Sequence, residues 1–298
     1  MNNHLLVSVI MNCYNGEKYL REAIDSVYKQ TYQNWEIVFW DNASTDQSAD
    51  IAHSYDDKIQ YYKDTTTKPL YEARGLAVDK ARGQYLAFLD CDDWWDPCKL
   101  ERQLILFKDD KIGFVYGKYW VENEKDGTRK MSPQPVYSSV NILDDLLKRY
   151  TIGMLTLMIR RSAYDELDRG FDKRFSVMGD FDLVVRLAAK WRSTWIDEPI
   201  AHYRWHESNF SSTHPQKSCD ELEEWYKDIK DHSVIGSSRA LYNIPIIINY
   251  VRGMFYMRNR MKWKGLGFLL KIPLFRIEKL KIIVGFILPH ALLNRLSR

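Results

Sequence analysis

Short unbroken apolar runs alternate with segments of helical period through roughly the first 110 residues. Leu5 to Met11 (LLVSVIM) is continuously apolar and β-branched and stops at Asn12 and Asn15-Gly16, the pattern of a buried strand that ends in a turn. Leu20, Ala23, Ile24 and Val27 then recur at helical spacing from about Glu17 to Gln30, and Trp35 to Trp40 returns as a second strand. Ser44 with Gln47 three residues on reads as a capping box opening a helix to about Ser54. A weak strand at Ile59 to Tyr62, a helix at Tyr71 to Ala81 and a buried strand at Gln84 to Leu89 follow. Asp96-Pro97 then supplies the N-cap and first position of a helix running through Phe107.

This alternation predicts an α/β fold, a Rossmann-like, mostly parallel sheet with helices on both faces and a ligand site at the carboxyl ends of the strands. Beyond residue 112 the pattern changes. Short strands flank Asp126-Gly127, a hairpin signal, a helix is expected near Asn141 to Lys148, and a strand at Leu155 to Ile159. We divide the chain into a catalytic domain over 1–235, with a donor half (1–112) and an acceptor half (113–235), and a helical basic extension over 236–298. No internal repeat or low-complexity linker interrupts it.

Composition adds a charge asymmetry. With 298 residues, 45% of them hydrophobic, the chain is long enough to bury a core and is not a disordered sequence. The formal net charge of +3 conceals −7 over residues 1–250 and +10 over 251–298, where eleven Lys/Arg face one Glu. Residues 244–298 mix those cations with Ile, Leu, Phe, Met and Trp. The longest apolar run, Ile282 to Pro289, falls short of the about 20 residues that a membrane span needs. Amphipathic helices lying on an anionic membrane surface account for this mixture, and a helical cap or a dimer contact is the alternative. The aliphatic and aromatic content exceeds what tracking phosphates requires, so no nucleic-acid partner is expected. The four cysteines (Cys13, Cys91, Cys98, Cys219) show no metal-binding spacing, and no export signal opens the chain. Together these features predict a cytoplasmic protein peripheral to the inner face of the cell membrane.

Three acidic clusters carry the candidate chemistry. Asp90, Asp92 and Asp93 directly follow a buried strand. Like charges this close raise one another's pKa unless a cation offsets them, and oxygen ligands suit Mg²⁺ or Mn²⁺ over zinc. A solvated turn capping the next helix is the alternative for the same residues. Asp41 follows the second strand, with Ser44 to Asp46 placed to cap a helix, the structural role being favoured for Asp46. Arg74 lies on a helix directed at the same edge, a phosphate or base contact or else a surface residue. Asp180 and Asp182 flank Phe181 ahead of a helix over Leu183 to Ala189. Asp182 reads as a cap or a solvated residue. Asp180, after Gly179, is the candidate general base.

The segments 7–52 and 81–97 closely resemble the family-2 glycosyltransferases, inverting, nucleotide-sugar-dependent enzymes of the GT-A fold. The resemblance rests on the Tyr14-Asn15 turn, the Asp41 cluster, Arg74, the Asp90-Cys91-Asp92 motif, Asp180 in the place of the family's catalytic acid, and Tyr203-Arg204-Trp205-His206. It spans roughly residues 5–212 and implies a set of roles. Asp41 would hold the uracil of a UDP-sugar beside Tyr14 and Asn15, with Arg74 near the base or diphosphate. Asp90 would meet the ribose or metal, Asp92 would ligate Mn²⁺ or Mg²⁺, and His206 would complete the metal site or touch the diphosphate. Asp180 would deprotonate a hydroxyl of a glycan acceptor, which we expect to be lipid-linked through a polyprenyl diphosphate. Asn12-Cys13 stands where Pro-Thr is common, Gly75 where Asn often follows the Arg, and Gly179 where the family has Glu. Ala201 occupies the Gln position of the processive element, which implies addition of a single sugar. Two rivals remain: a non-catalytic nucleotide-sugar- or membrane-binding protein that keeps the fold, and a two-carboxylate glycoside hydrolase needing neither metal nor nucleotide.

Overall fold

The computed structural model describes residues 5–132, 142–207, 209, 215–274 and 276–287. The described chain divides into two compact units, one of Met1–Leu146 and Tyr150–Glu207, the other of Leu147–Arg149 and Ser208–Arg298.

In the first unit, β1 (Val7–Cys13) and β2 (Trp35–Asp41) are buried at every position, as expected of strands covered on both faces. Between them runs α1 (Glu17–Tyr28), which turns Leu20, Ala23, Ile24 and Val27 into the core. Then come α2 (Ser48–His53), β3 (Ile59–Lys63), α3 (Leu70–Lys80) and β4 (Tyr85–Phe88). β1 pairs in parallel with both β2 and β4, and β2 with β3, giving the order β3-β2-β1-β4. The chain therefore builds outward from β1 on one side and returns to build on its other side. The crevice at the carboxyl ends of β1 and β4 is a topological switch point, where open α/β sheets take their ligands.

The second half of the sheet is mixed. It comprises β5 (Trp94–Trp95), α4 (Lys99–Leu106), β6 (Ile112–Asn123), β7 (Arg129–Met131), α5 (Leu143–Lys148), β8 (Met158–Arg160), α6 (Arg161–Asp165), α7 (Gly179–Lys190) and β9 (Arg192–Trp205). β8 runs antiparallel to β4 and β6, β5 antiparallel to β9, and β6 parallel to β9, completing the order β3-β2-β1-β4-β8-β6-β9-β5. The expected hairpin forms between β6 and β7, and Gly127 at its turn has φ +67°, a conformation that favours glycine.

Several local expectations shift for physical reasons. The capping box at Ser44 does not form. Ser44 Oγ accepts from Asn15 N–H instead, and α2 begins at Ser48. Trp94–Trp95 bridges to β9, so α4 starts at Lys99 and not at Pro97. The helix expected near Asn141 is α5, with position 141 outside the described residues. The strand expected at Leu155 to Ile159 begins later, a 3₁₀ turn occupying Met154–Thr156. Helix α7 begins at Gly179, earlier than its apolar period indicates, and carries both Asp180 and Asp182 in its first turn.

Asp182 is neither cap nor solvated. It is fully buried, and its Oδ2 accepts from Arg186 Nε at 3.0 Å and Nη2 at 2.5 Å, one helical turn on. The guanidinium of Arg186 also donates to the carbonyls of Arg169 and Gly170, tying α7 to the loop before it.

The second unit contains α8 (Pro215–Ile229), α9 (Asn243–Arg258), α10 (Lys262–Leu269) and α11 (Ile277–Ile287). Ile246, Met257, Ile272 and Ile282 form its small core among α9 to α11. No described helix is long and apolar enough to cross a membrane, and residues 288 and 289 of the longest apolar run lie outside the described residues.

Removing one partner of a buried ion pair strands the other charge, at a cost of roughly 3 to 5 kcal/mol. We therefore expect Asp182→Ala to lower the stability of the first unit by that order in urea denaturation. A change within a few tenths of a kcal/mol would show that Arg186 is satisfied without it.

Candidate active site

The loop after β4 gathers the acidic cluster at the switch point. Asp93 is 2% exposed and accepts from Arg204 N–H at 2.8 Å. Burial, followed by the charge of Asp92, pushes the Asp93 carboxyl well above the usual range. Burial and then Asp90 push Asp92 in the same direction. Asp92 Oδ2 lies 3.1 Å from His206 Nε2 at the end of β9. The remaining acid, Asp90, forms an ion pair with the guanidinium of Arg74, which is 2% exposed. Arg74 is thus a buried clamp on the acidic loop and no surface residue.

Helix α3 also reaches the third cluster. Asp180 is partly buried among aromatics. Burial holds its carboxyl above the usual range, opposed by hydrogen bonds from Phe181 N–H, at 2.8 Å, and by the charge of Arg74. Tyr71 and Tyr150 donate to it as well, Tyr150 at 3.3 Å to Oδ2. Arg74 therefore faces two carboxylates, Asp90 at the end of β4 and Asp180 at the start of α7, and stacks on Tyr71 at 5.1 Å. The absence of Glu at 179 has a steric cause. A Cβ there would stand 2.3 Å from the Tyr71 ring.

Asp41 keeps its own partners. It is fully buried, with Oδ1 accepting from Ser44 N–H at 2.7 Å and Oδ2 from Tyr61 at 2.6 Å, and Lys63 Nζ lies 3.7 Å away. The Tyr14-Asn15 turn folds onto this cluster. Asn15 takes φ 53°, donates its N–H to Ser44 Oγ at 3.0 Å and accepts from Thr45 N–H at 2.9 Å, while the Tyr14 side chain is exposed. Ala43, with φ 64°, is a second left-handed residue beside the same site, where such strain concentrates. Asp46 accepts from Glu17 N–H and Ser48 N–H, the structural role expected of it.

Three contributors, Tyr71, Tyr150 and Tyr19, had no signal in the reading of motifs, and a fourth, Arg204, was named only as part of the element ending at His206. Tyr71 and Tyr150 reach Asp180, Tyr19 stacks on His206 at 5.6 Å, and Arg204 donates from Nε to the Asp92 carbonyl at 2.9 Å. Only Tyr71, three residues before Arg74 on one helix face, was open to detection by spacing.

The acidic loop also offers a test for a divalent cation. Buried like charges with raised pKa values, and a carboxylate oxygen beside an imidazole nitrogen, are a donor set that suits one. Among the described residues no three acidic, His or Cys side chains converge on one point. Two protein ligands would leave the other positions to a substrate, as Mg²⁺ sites with phosphate substrates do.

The model of glycosyl transferase family 2 matches residues 8–168. The Escherichia coli protein named UDP-Glc:alpha-D-GlcNAc-diphosphoundecaprenol beta-1,3-glucosyltransferase, WfgD, is 36% identical over 159 residues, which are 53% of this chain and 61% of that protein. The chain thus spans about three-fifths of that relative's length. Among solved structures, S. aureus TarS 1–349 in complex with UDP-GlcNAc superposes with a TM-score of 0.65 over 95% of this chain and 80% of that one, at 19% identity. The mannosyltransferase PcManGT from Pyrobaculum calidifontis, in complex with GDP-Man and Mn²⁺, gives 0.63 over 98% and 79%, at 17% identity. These two likenesses establish the GT-A fold. With more than half of its length matched, from β1 through α6, the chain belongs to glycosyl transferase family 2.

Proposed function

We propose that this chain transfers one sugar from a UDP-sugar to a hydroxyl of a lipid-linked glycan, with inversion at the anomeric carbon. The observation that carries the reading is Arg74, whose guanidinium faces both Asp90 at the switch point and Asp180 on α7. A cation within electrostatic reach of both the acid that follows β4 and a partly buried candidate base, in a chain of this family, supports that reading. WfgD, by its name, acts on a diphosphoundecaprenol-linked sugar, which supports a polyprenyl-diphosphate acceptor.

In this reading Asp41 and the Tyr14-Asn15 turn bound the base, and Asp90, fixed by Arg74, meets the ribose. Asp92 and His206 would hold Mn²⁺ or Mg²⁺, which would supply positive charge against the departing diphosphate. Asp180 takes the acceptor's proton as the acceptor oxygen attacks opposite the leaving group. The anomeric C–O bond breaks, and the diphosphate leaves with its electron pair. A carboxyl raised by burial is a stronger base once ionised than an exposed one, and the Tyr71 and Tyr150 hydroxyls fix its direction.

We further propose that the second unit rests on an anionic membrane surface. Its core leaves Trp263 (81% exposed), Leu270 (84%), Leu274, Ile277 and Leu280 outward, among Lys262, Lys264, Lys271, Lys279 and Lys281. Apolar side chains interleaved with cations, the latter contributing about 1 kcal/mol each near such a surface, suit lipid headgroups.

Incubation with a panel of UDP- and GDP-sugars, Mn²⁺ and a polyprenyl-diphosphate-linked acceptor should release UDP, and EDTA should stop it. Asp180→Asn should lower kcat by roughly 10²- to 10⁴-fold while UDP still binds. Undiminished turnover would remove Asp180 as the base, and metal-independent hydrolysis would favour the glycosidase. The base must be ionised, so the rate should fall as pH drops through the raised pKa of Asp180. Tyr150→Phe, which deletes a donor to the ionised form, should move that acid limb to higher pH; a shift to lower pH contradicts the arrangement. In sedimentation with vesicles, the chain should pellet with phosphatidylglycerol-rich but not purely zwitterionic lipid. Replacing Trp263, Leu270 and Leu274 by Ser should release it, and an unchanged pellet would count against the surface.

A further inference from the structure

Cys13 and Cys91 face each other across the switch point. Cys13 ends β1, and Cys91 stands between Asp90 and Asp92, three residues beyond the end of β4. The two strands pair in parallel with Ile10 opposite Phe88, and Leu89 N–H donating to the Ile10 carbonyl at 3.1 Å carries the pairing past the last laddered residue. Beyond it the chain turns, Asp93 N–H donating to the Asp90 carbonyl at 3.2 Å, with Cys91 inside the turn. The side chains are neighbours: a Cβ built on Gly16 would stand 2.7 Å from Cys13 Sγ and 2.8 Å from Cys91 Sγ. Both sulfurs therefore border one small space under the turn that begins α1. Cys13 is buried, Cys91 is partly exposed, and both are free thiols.

We propose that Cys13 and Cys91 are a modification site, a dithiol that closes to a reversible disulfide and thereby turns off the donor loop; the effect on transfer rests on the function proposed above. The co-reactant is a low-molecular-weight disulfide such as glutathione disulfide. Cys91, the partly exposed one of the two, attacks it through its sulfur, forming a mixed disulfide and releasing one thiol. Cys13 then attacks the Cys91 sulfur, forming the intramolecular bond and releasing the second thiol, so two protein thiols are oxidised as one external disulfide is reduced. Closure brings the sulfurs to about 2.05 Å and draws Cys91 toward β1. Asp90 and Asp92, on either side, move with it. The first leaves its seat against Arg74 and the second its approach to His206, and displacements of about 1 Å in such a site cost up to 10²-fold in rate.

The full-length chain, treated with glutathione disulfide, alkylated and mapped by mass spectrometry, should yield a cross-linked peptide pair containing Cys13 and Cys91. Transfer should fall by at least about tenfold, in line with the cost of misplacement, and should return with dithiothreitol. Cys91→Ser should show the same rate before and after treatment, Cys13→Ser should stop at a glutathione adduct on Cys91 with no cross-link, and the chain carrying Cys98→Ser and Cys219→Ser should keep the full loss. Separate glutathione adducts without the cross-link, or a cross-linked chain with undiminished transfer, would overturn the proposal. The peptide map reads bond formation without reference to turnover. A reduced chain that cross-links yet transfers nothing from any donor would therefore overturn the transferase reading instead.

Discussion

Burial of carboxylates at the end of a parallel strand is the constraint around which the first unit is arranged. Asp92 and Asp93 lose hydration where β4 ends, and Asp90 adds a third like charge, so ionising the loop is costly wherever nothing compensates it. The fold supplies partial compensation from two distant segments. Arg74 comes from α3, the Arg204 backbone N–H from β9, and the His206 imidazole from the residue after it. None of these neutralises the whole cluster. The remaining demand for positive charge is what makes the loop suited to a cation and to the phosphates a cation brings.

The same economy of charge links the two ends of the site. Arg74 is itself buried, which is tolerable only beside anions, and it faces Asp90 and Asp180 together. Tyr71, one turn earlier on α3, covers Gly179 and reaches Asp180, so a single helix fixes the donor loop and the candidate base. The departure of this chain from its family at 179 then has a structural explanation: the tyrosine ring fills the space that a glutamate would need. Asp182, two residues on, faces away into an ion pair with Arg186 and serves the fold.

Several features were legible from the residues alone. Unbroken apolar runs gave β1, β2 and β4 to within a few residues, because a strand buried on both faces has no polar position to obscure it. The hairpin at Asp126-Gly127 followed from turn chemistry, and the helix expected at Tyr71 to Ala81 forms over Leu70–Lys80. The start of α4 was misplaced because Trp94-Trp95 joins a strand more than a hundred residues away, which no local pattern encodes. Ser44 was misread as a cap because its hydroxyl is taken by Asn15 from the preceding loop.

The amino-acid sequence by itself determined which chemical groups stand at the ends of the parallel strands, because hydrophobic run length fixes where each strand stops and hence which acids follow it. It also determined the contrast between an acidic first unit and a basic, apolar tail. Which of those acids meet, and through what, was decided only by the tertiary structure. Pairing Arg74 with Asp90 within reach of Asp180, setting Asp92 against His206, and bringing Cys13 near Cys91 requires strand order and crossover geometry. Those depend on long-range packing, which the local sequence does not specify.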